Sequence, residues 1–298
     1  MHSLAAAAVL IGTAFSGTAM ANPIEAAPTL DALPSGTVVG ALLSTPRVTW
    51  EDVFVDLPAN NNTLAARDIR APLPNRAWDI EHRFQPVTDF DKDGCYYTAA
   101  IDPSGNLNGG LGTSGCPHHD CRELSRLNNN NVYSRHRCNG SWCAIMYEYY
   151  FEKDQAACGS GHRHEWEFII VYVRRSDDSV RRVAHSYHND PPRGSNSFRT
   201  EGKRVKMVYH KDGASTHQFR FANAGDDAIE NHTGRWFLGS LVGWAGWPNT
   251  GMRDKVLNGR SWSGDGGIRP KLSDGDFTDR LRRGMDGTIT NFDPSRDE

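Results

Sequence analysis

Two neighbouring segments in the middle of the sequence are apolar on both faces of an extended chain. In Trp142–Phe151 alternate residues point to opposite faces, and both sets are largely aromatic or aliphatic. Trp166–Arg174 has a similar character. Strands of this kind are covered on both sides in folded proteins. The two segments therefore predict the central strands of a sheet whose two faces are both buried.

Shorter strand-like runs surround these two segments. Asn131–Arg137 is joined to the first central strand through Asn139-Gly140, a strong hairpin turn signal. Further strands are predicted at Val180–Ser186, Lys203–His210 and His217–Ala222. Helical patterns are short and are found at Met252–Leu257 and Phe277–Arg283. Many short strands with few helices predict a mainly β fold, a central β-sandwich with a few peripheral short helices.

The N-terminal residues predict export from the cell. An apolar run begins at Leu4 and ends in Ala19-Met20-Ala21, a pattern typical of a signal peptide over residues 1–21. Residues 22–82 are rich in proline and predict an extension with one short strand, Arg47–Val55. The sandwich domain is predicted over 83–290, followed by a polar tail over 291–298. We therefore expect a secreted, extracellular protein.

Charge and cysteine content narrow the class of protein. A formal net charge of −3 provides no basic field that would attract nucleic acid. The cysteines are clustered and comprise Cys95, Cys116, Cys121, Cys138, Cys143 and Cys158. In an exported chain such a cluster favours a disulfide framework. A zinc site is the alternative, because the spacings Cys116-x4-Cys121 and Cys138-x4-Cys143 suit zinc ligands and His118-His119 lie between the first pair.

The densest polar cluster, Gly159–Glu167, connects the two central strands. On a regular strand His162 would face away from Glu165 and Glu167, so their convergence on one ion requires an irregular backbone before Trp166. Asp154 at the end of the preceding strand can join them from the other side of the connection. One imidazole with three carboxylates favours calcium, magnesium or manganese over zinc. The alternative is a charged loop without an ion, in which these side chains bond to one another and to Arg163.

The segments Ala144–Asp154 and Gly161–Glu167 strongly resemble the necrosis- and ethylene-inducing-peptide-like proteins, secreted cytolysins of oomycetes, fungi and bacteria. The hallmark of that family is the heptapeptide Gly-His-Arg-His-Asp-Trp-Glu. The resemblance covers about residues 83–285 and leaves the Pro-rich extension unmatched. Glu165 replaces the Asp of the motif and Glu152 replaces the usual Pro. With six cysteines rather than the family's common two or four, these departures suggest a divergent, cysteine-rich fungal subtype.

The resemblance implies a β-sandwich like that of the actinoporin toxins, with a divalent cation, Mg²⁺ or Ca²⁺, in an acidic cavity at one end. The implied cation ligands are Asp154, His162, Glu165 and Glu167. The implied residues of the head-group cavity are His164, His185 and His217. The resemblance also implies a disulfide between Cys95 and Cys116, with no catalytic residue and no enzymatic activity.

The function implied by the resemblance is binding to the sugar head group of plant glycosyl inositol phosphorylceramides, followed by membrane damage, necrosis and immune responses. Plant plasma-membrane sphingolipids are then the expected partners, plant pattern-recognition receptors are further candidates, and we expect a monomer. Two alternatives stay open. One is a divergent non-cytolytic homologue acting as an adhesion or immune-visible secreted protein. The other is a secreted metal-dependent hydrolase or cupin-like enzyme with His162 and His164 as ligands and Glu165 or Glu167 as general base.

Overall fold

The computed structural model of the chain describes residues 54–57 and 69–298, apart from 189–190, 215 and 263–267. Twelve strands and four α-helices are found in these ranges. The strands are β1 (Phe54–Leu57), β2 (Asn75–Trp78), β3 (Val87–Phe90), β4 (Val132–Asn139), β5 (Trp142–Asp154), β6 (His162–Arg174), β7 (Ser179–His185), β8 (Arg193–Ser195), β9 (Thr200–Glu201), β10 (Arg204–Asp212), β11 (Thr216–Phe221) and β12 (Leu241–Gly243). The helices are α1 (Asp79–Phe84), α2 (Leu124–Asn128), α3 (Thr250–Leu257) and α4 (Asp274–Gly284).

The strands form two sheets. The larger sheet has the order β1-β2-β12-β4-β5-β6-β7-β8, and the smaller has the order β11-β10-β3 with β9 beside β10. Strands β5 and β6 pair antiparallel along their length, from Trp142 opposite Arg174 to Asp154 opposite His162. Because β5 ends where β6 begins, Asp154 and His162 lie side by side at one end of the larger sheet.

Both faces of β5 are buried, as its sequence pattern predicts. On one face Phe151 stacks on Tyr209 of the smaller sheet, with ring centroids 3.9 Å apart. On the other face Tyr150 packs against Trp262, with centroids 5.0 Å apart, in an apolar cluster that includes Phe277 of α4. The larger sheet is therefore covered by the smaller sheet on one side and by helices on the other. The prediction of a mainly β sandwich with peripheral helices is confirmed.

The sandwich begins earlier in the chain than residue 83, the predicted boundary. Strand β2 pairs with β12 inside the larger sheet, and Ile80 of α1 is fully buried. Helix α1 was not predicted because it has only six residues. Its N-terminus is capped by Glu81, whose side chain accepts a hydrogen bond of 2.9 Å from the backbone N–H of Trp78. The predicted strand Arg47–Val55 overlaps β1 at Phe54 and Val55, and its residues 47–53 lie outside the described part of the chain.

The cysteines form disulfides, so the zinc alternative is wrong. The bonds are Cys95–Cys121, Cys116–Cys158 and Cys138–Cys143, and no described cysteine is free. The second bond joins the loop after β3 to the connection between β5 and β6. The third bond closes the β4–β5 hairpin at the opposite end of the sheet.

The pairing of Cys95 with Cys116, implied by the family resemblance, is also wrong. A backbone hydrogen bond of 2.9 Å from Tyr96 to the carbonyl of Cys121 holds Cys121 beside Cys95. Cys116 lies instead against the β5–β6 connection, where its Cα is 4.0 Å from that of Cys158. The additional cysteines therefore do not simply add disulfides to a Cys95–Cys116 bond. Cys121 pairs with Cys95, and Cys158 pairs with Cys116.

Candidate metal centre

Asp154 is the last residue of β5 and is 1% exposed. Its Oδ1 accepts hydrogen bonds from Nδ1 of His217, at 2.9 Å, and from the backbone N–H of His217, at 3.1 Å. The hydroxyl of Thr216 donates to Oδ2. Thr216 and His217 begin β11 of the smaller sheet, so the carboxylate is oriented by the opposite layer of the sandwich.

His162 is the first residue of β6, and its side chain is 43% exposed. Its Nδ1 lies 2.9 Å from the backbone carbonyl oxygen of His164. A carbonyl oxygen can only accept, so Nδ1 carries the hydrogen and Nε2 of the neutral ring presents a lone pair. This Nε2 lies 3.4 Å from Oε2 of Glu165.

The irregular backbone required for His162 and Glu165 to converge is present at His164. The φ angle of His164 is 63°, although the strand pairing on both sides of it keeps one register, with Arg163 opposite Lys153 and Glu165 opposite Phe151. Glycines with positive φ occur earlier in the connection, but the residue with positive φ between His162 and Glu165 is a histidine.

Glu165 completes a compact group of ligand atoms. Its Oε1 accepts a hydrogen bond of 2.6 Å from the backbone N–H of Trp166. Burial and the neighbouring charge of Asp154 raise the pKa of the Glu165 carboxyl to about 7. Asp154, His162 and Glu165 each offer one ligand atom, and these atoms lie within 4.8 Å of one another.

Glu167 lies next along the same face of β6, one pleat deeper in the protein. It is 6% exposed, and its Oε2 accepts a hydrogen bond from the hydroxyl of Ser186. That hydroxyl in turn accepts from the backbone N–H of Phe168, at 2.9 Å. Burial and the charge of Glu165 hold the pKa of Glu167 well above its ordinary value. Glu167 is outside the compact group of ligand atoms, although its carboxyl interacts electrostatically with those of Glu165 and Asp154.

Of the three histidines assigned to the head-group cavity, His217 adjoins the compact group through its bond to Asp154. The Nε2 atom of His217 is buried without a hydrogen-bond partner and lies 3.9 Å from Oδ1 of Asp93. His185 is buried, its Nδ1 donates to the carbonyl of Ser186 at 2.8 Å, and its ring packs against Phe221. Burial lowers the pKa of His185 to about 4.

His164 lies inside the fold rather than in an open cavity. It is 7% exposed, and its Nδ1 lies 2.6 Å from the hydroxyl of Tyr150. Burial, with a smaller contribution from the charge of Arg163, lowers the pKa of His164 to about 4. The sequence drew attention to His164 as a cavity residue, whereas Tyr150, Thr216 and Ser186, which orient the site, carried no signal beyond lying near the histidines.

The donor set fits a hard divalent cation. Nε2 of His162 and Oε2 of Glu165 lie 3.4 Å apart, and both present lone pairs when the carboxyl of Glu165 is ionised. Two acceptors at this distance repel unless a proton or a cation lies between them. Carboxylate oxygens with a single imidazole nitrogen are typical of magnesium, calcium and manganese sites, which complete their coordination with water.

A comparison with protein families matches residues 79–284 to the necrosis inducing protein (NPP1) family. NLP effector protein 10 of Phytophthora capsici is 34% identical over 140 residues, which cover 44% of this chain and 57% of the relative. NLP effector protein 3 of Plasmopara viticola is 31% identical over 183 residues, covering 56% of this chain and 78% of the relative. The chain thus spans little more than half of the Phytophthora relative.

Solved structures show the same fold. The necrosis and ethylene inducing protein 2 from the causal agent of witches' broom disease of cocoa is 25% identical, with a TM-score of 0.61 over 75% of this chain and 99% of that one. NLPPya in complex with glucosamine is also 25% identical, with a TM-score of 0.56 over 70% of this chain and 90% of that one. The Phytophthora and Plasmopara relatives are named effector proteins, and a further solved structure of the same fold is described as a toxin fold, in agreement with the prediction that the protein is not an enzyme. Among the described residues, no helix is long and apolar enough to span a bilayer.

Proposed function

Since the chain belongs to the necrosis inducing protein (NPP1) family, we propose that it is a secreted, cation-dependent effector that binds the sugar head groups of plant plasma-membrane sphingolipids and damages the membrane. The observation that carries this proposal is the convergence of Asp154, His162 and Glu165 at one end of the sandwich. Their side chains supply a nitrogen and carboxylate oxygens, and the exposure of His162 leaves room for further ligands from outside.

A sphingolipid head group of the glycosyl inositol phosphorylceramide class offers the additional oxygen ligands that a cation at this site would need. Its sugar hydroxyls and its carboxylate or phosphate are oxygen ligands, which hard cations prefer. A site with few protein ligands keeps open positions for them. Support comes from one relative, NLPPya, which was solved with glucosamine and with mannosamine, two small sugars that carry hydroxyl groups.

The test is leakage of dye from vesicles that contain glycosyl inositol phosphorylceramide, measured with Ca²⁺, with Mg²⁺ and with a chelator. The proposal predicts leakage by the wild type in the presence of a cation and none with chelator. Asp154→Asn removes one ligand charge with little change in volume and should abolish leakage. Asp177→Asn in the β6–β7 turn, at the opposite end of the sheet, is the matched control and should leak like the wild type.

A second candidate function is that of a non-cytolytic homologue, and the replacement of the motif's Asp by Glu165 is the feature that favours it. A solved relative described as non-toxic has the same fold, with a TM-score of 0.58 at 22% identity, so the fold does not imply toxicity. A non-cytolytic homologue would bind the cation in a titration but cause no leakage from the same vesicles. Leakage that persists with chelator, or in Asp154→Asn, would contradict the cation-dependent mechanism.

A further inference from the structure

We propose that His164 is a positioning residue for the cation site, acting through His162. The left-handed backbone of His164 directs its carbonyl oxygen toward Nδ1 of His162, and this contact fixes the orientation and tautomer of the ligand ring. The inference rests on the proposed cation site, but its structural part, the tautomer of His162, is measurable in the metal-free protein.

The role of the carbonyl follows from hydrogen-bond chemistry. Nδ1 of His162 must donate to this oxygen, at 2.9 Å, so the lone pair that can bind a cation is on Nε2. Metal-binding histidines commonly donate their other ring nitrogen to a carbonyl or carboxylate, which orients the ring and favours one tautomer. The imidazole of His162 is 43% exposed, so surrounding atoms constrain it less than they would a buried ring.

The backbone conformation that supplies the carbonyl is unusual for a histidine inside a strand. A φ of 63° is adopted readily by glycine and rarely by residues with a Cβ atom. With regular strand geometry, residues 162 and 165 would face opposite sides of the sheet. The left-handed residue therefore performs two tasks: it brings His162 and Glu165 to one side, and it turns the carbonyl toward the His162 ring.

The side chain of His164 holds this conformation in place. Its ring contacts the Tyr150 hydroxyl at 2.6 Å and packs edge-on against Trp262, with centroids 5.5 Å apart. Gly110 lies close to the ring, since a Cβ atom at that position would lie 2.6 Å from Cε1 of His164. The ring of His164 is therefore held in place by contacts with Tyr150, Trp262 and Gly110, although it is not itself a cation ligand.

Two substitutions of His164 distinguish the effect of its backbone conformation from the effect of its side-chain contacts. His164→Gly keeps the preference for positive φ and loses the ring. His164→Ala loses the ring and also disfavours positive φ. Both variants lose the packing against Trp262, so a purely structural role predicts similar effects on the two. A positioning role predicts that glycine preserves cation binding better than alanine.

The experiment combines two measurements on the full chain. Long-range ¹H–¹⁵N NMR of the metal-free wild type should show the Nδ1–H tautomer for His162 at pH 7.5. Calorimetric titration with Mg²⁺ and with Ca²⁺ should show that His164→Ala weakens binding by about 10- to 100-fold, the range known for residues that orient metal ligands. His164→Gly should stay within about threefold of the wild type, and exposed His118→Ala, a histidine control, should bind like the wild type.

Tyr150→Phe provides a second variant that removes one hydroxyl, in case substitution of His164 prevents folding. It should weaken binding by a smaller factor and broaden the tautomer population of His162. The inference is overturned if His162 in the wild type carries its hydrogen on Nε2, or if His164→Ala binds as tightly as His164→Gly. Failure of the wild type to bind either cation would instead refute the proposed cation site, while the tautomer would still decide the role of His164.

Discussion

Nδ1 of His217 donates to Oδ1 of Asp154 across the gap between the two sheets, at 2.9 Å. Both residues are buried, with exposures of 2% and 1%. The smaller sheet thereby fixes the orientation of a carboxylate that belongs to the larger one. Stability of the sandwich and geometry of the cation site therefore depend on the same contact.

Replacing His217 with alanine should weaken both properties. The buried carboxylate of Asp154 loses a hydrogen bond to a charged group, worth about 1.5–3 kcal/mol in the free energy of unfolding. We expect a loss of this order in urea denaturation, with weaker cation affinity in calorimetry. Thr216→Val is the companion variant, since it removes the other side-chain donor to Asp154 at nearly constant volume. Unchanged affinity in both variants would show that the smaller sheet does not orient the site.

Glu165→Asp restores the residue of the family motif. The shorter side chain keeps the negative charge, and we expect it to retain cation binding within about tenfold. Glu165→Gln keeps the length and removes the charge, and we expect a larger loss, because an amide oxygen is a weaker ligand for a hard cation than a carboxylate. Calorimetric titration of the two variants compares the effect of the length of the side chain at position 165 with the effect of its charge. Equal binding by Glu165→Gln and the wild type would exclude this side chain as a ligand.

The disulfide Cys116–Cys158 should matter for the cation site as well as for stability. Cys158 lies in the connection between Asp154 and His162, so the bond restrains the segment that joins two ligands. Replacing both cysteines with serine should lower the free energy of unfolding by roughly 2–4 kcal/mol and weaken cation binding.

The matched control is the pair Cys138–Cys143, which closes the hairpin at the opposite end of β5. Its double serine variant should lose less stability, because the loop it closes is shorter, with a sequence separation of 5 against 42. Cation affinity should be unchanged in this control. If both double variants lost affinity equally, the effect would reflect general destabilisation rather than positioning.

The stability of the protein should fall as pH rises, partly through Glu148. This residue of β5 is fully buried, and its Oε1 accepts a hydrogen bond of 2.7 Å from the backbone N–H of Lys271. Burial outweighs that bond and raises the pKa of the carboxyl to about 8 from an ordinary value of 4.5. Because the pKa is higher in the folded state, the folded protein favours the protonated form. The stabilisation is complete below pH 4.5 and is lost as pH rises toward about 8.

The matched variant is Glu148→Gln, which resembles the protonated acid and does not titrate. Denaturation at pH 5, 7 and 9 should show that the wild type loses stability relative to this variant, by at most about 1.4 kcal/mol per pH unit. The difference in stability between the two proteins reports on Glu148 alone, because the other buried carboxyls are the same in both. A constant difference across this range would mean that Glu148 is as fully ionised in the folded protein as in the unfolded chain, which would contradict a raised pKa.

The central strands were predictable from the sequence because their pattern is local. Every second residue of β5 faces the same layer, so the apolar run of Trp142–Phe151 contains the information that both faces are covered. Helix α1 was missed, since its cap and its burial depend on partners elsewhere in the fold. The tail over 291–298 was recognisable as polar, but not as a segment bound by the Asn139 side chain, which donates to the carbonyl of Asp293 at 2.8 Å.

The candidate site was predictable as a set of residue types and less so as a geometry. The sequence indicated that His162 and Glu165 need an irregular backbone to converge, but a left-handed histidine at position 164 has no local signature. The pairing of Cys116 failed for a related reason. Its partner is determined by which loops lie side by side at the end of the sheet, and spacing along the chain does not encode that contact.

Anomalous diffraction from crystals grown with Mn²⁺ tests the central claim most directly. Manganese takes the same oxygen-rich sites as magnesium and scatters anomalously, so one map locates the ion. The account predicts a single strong peak within about 2.0–2.3 Å of Nε2 of His162 and of carboxylate oxygens of Asp154 and Glu165, and its loss in Asp154→Asn. No peak at these atoms, or a peak that persists in Asp154→Asn, would contradict the account.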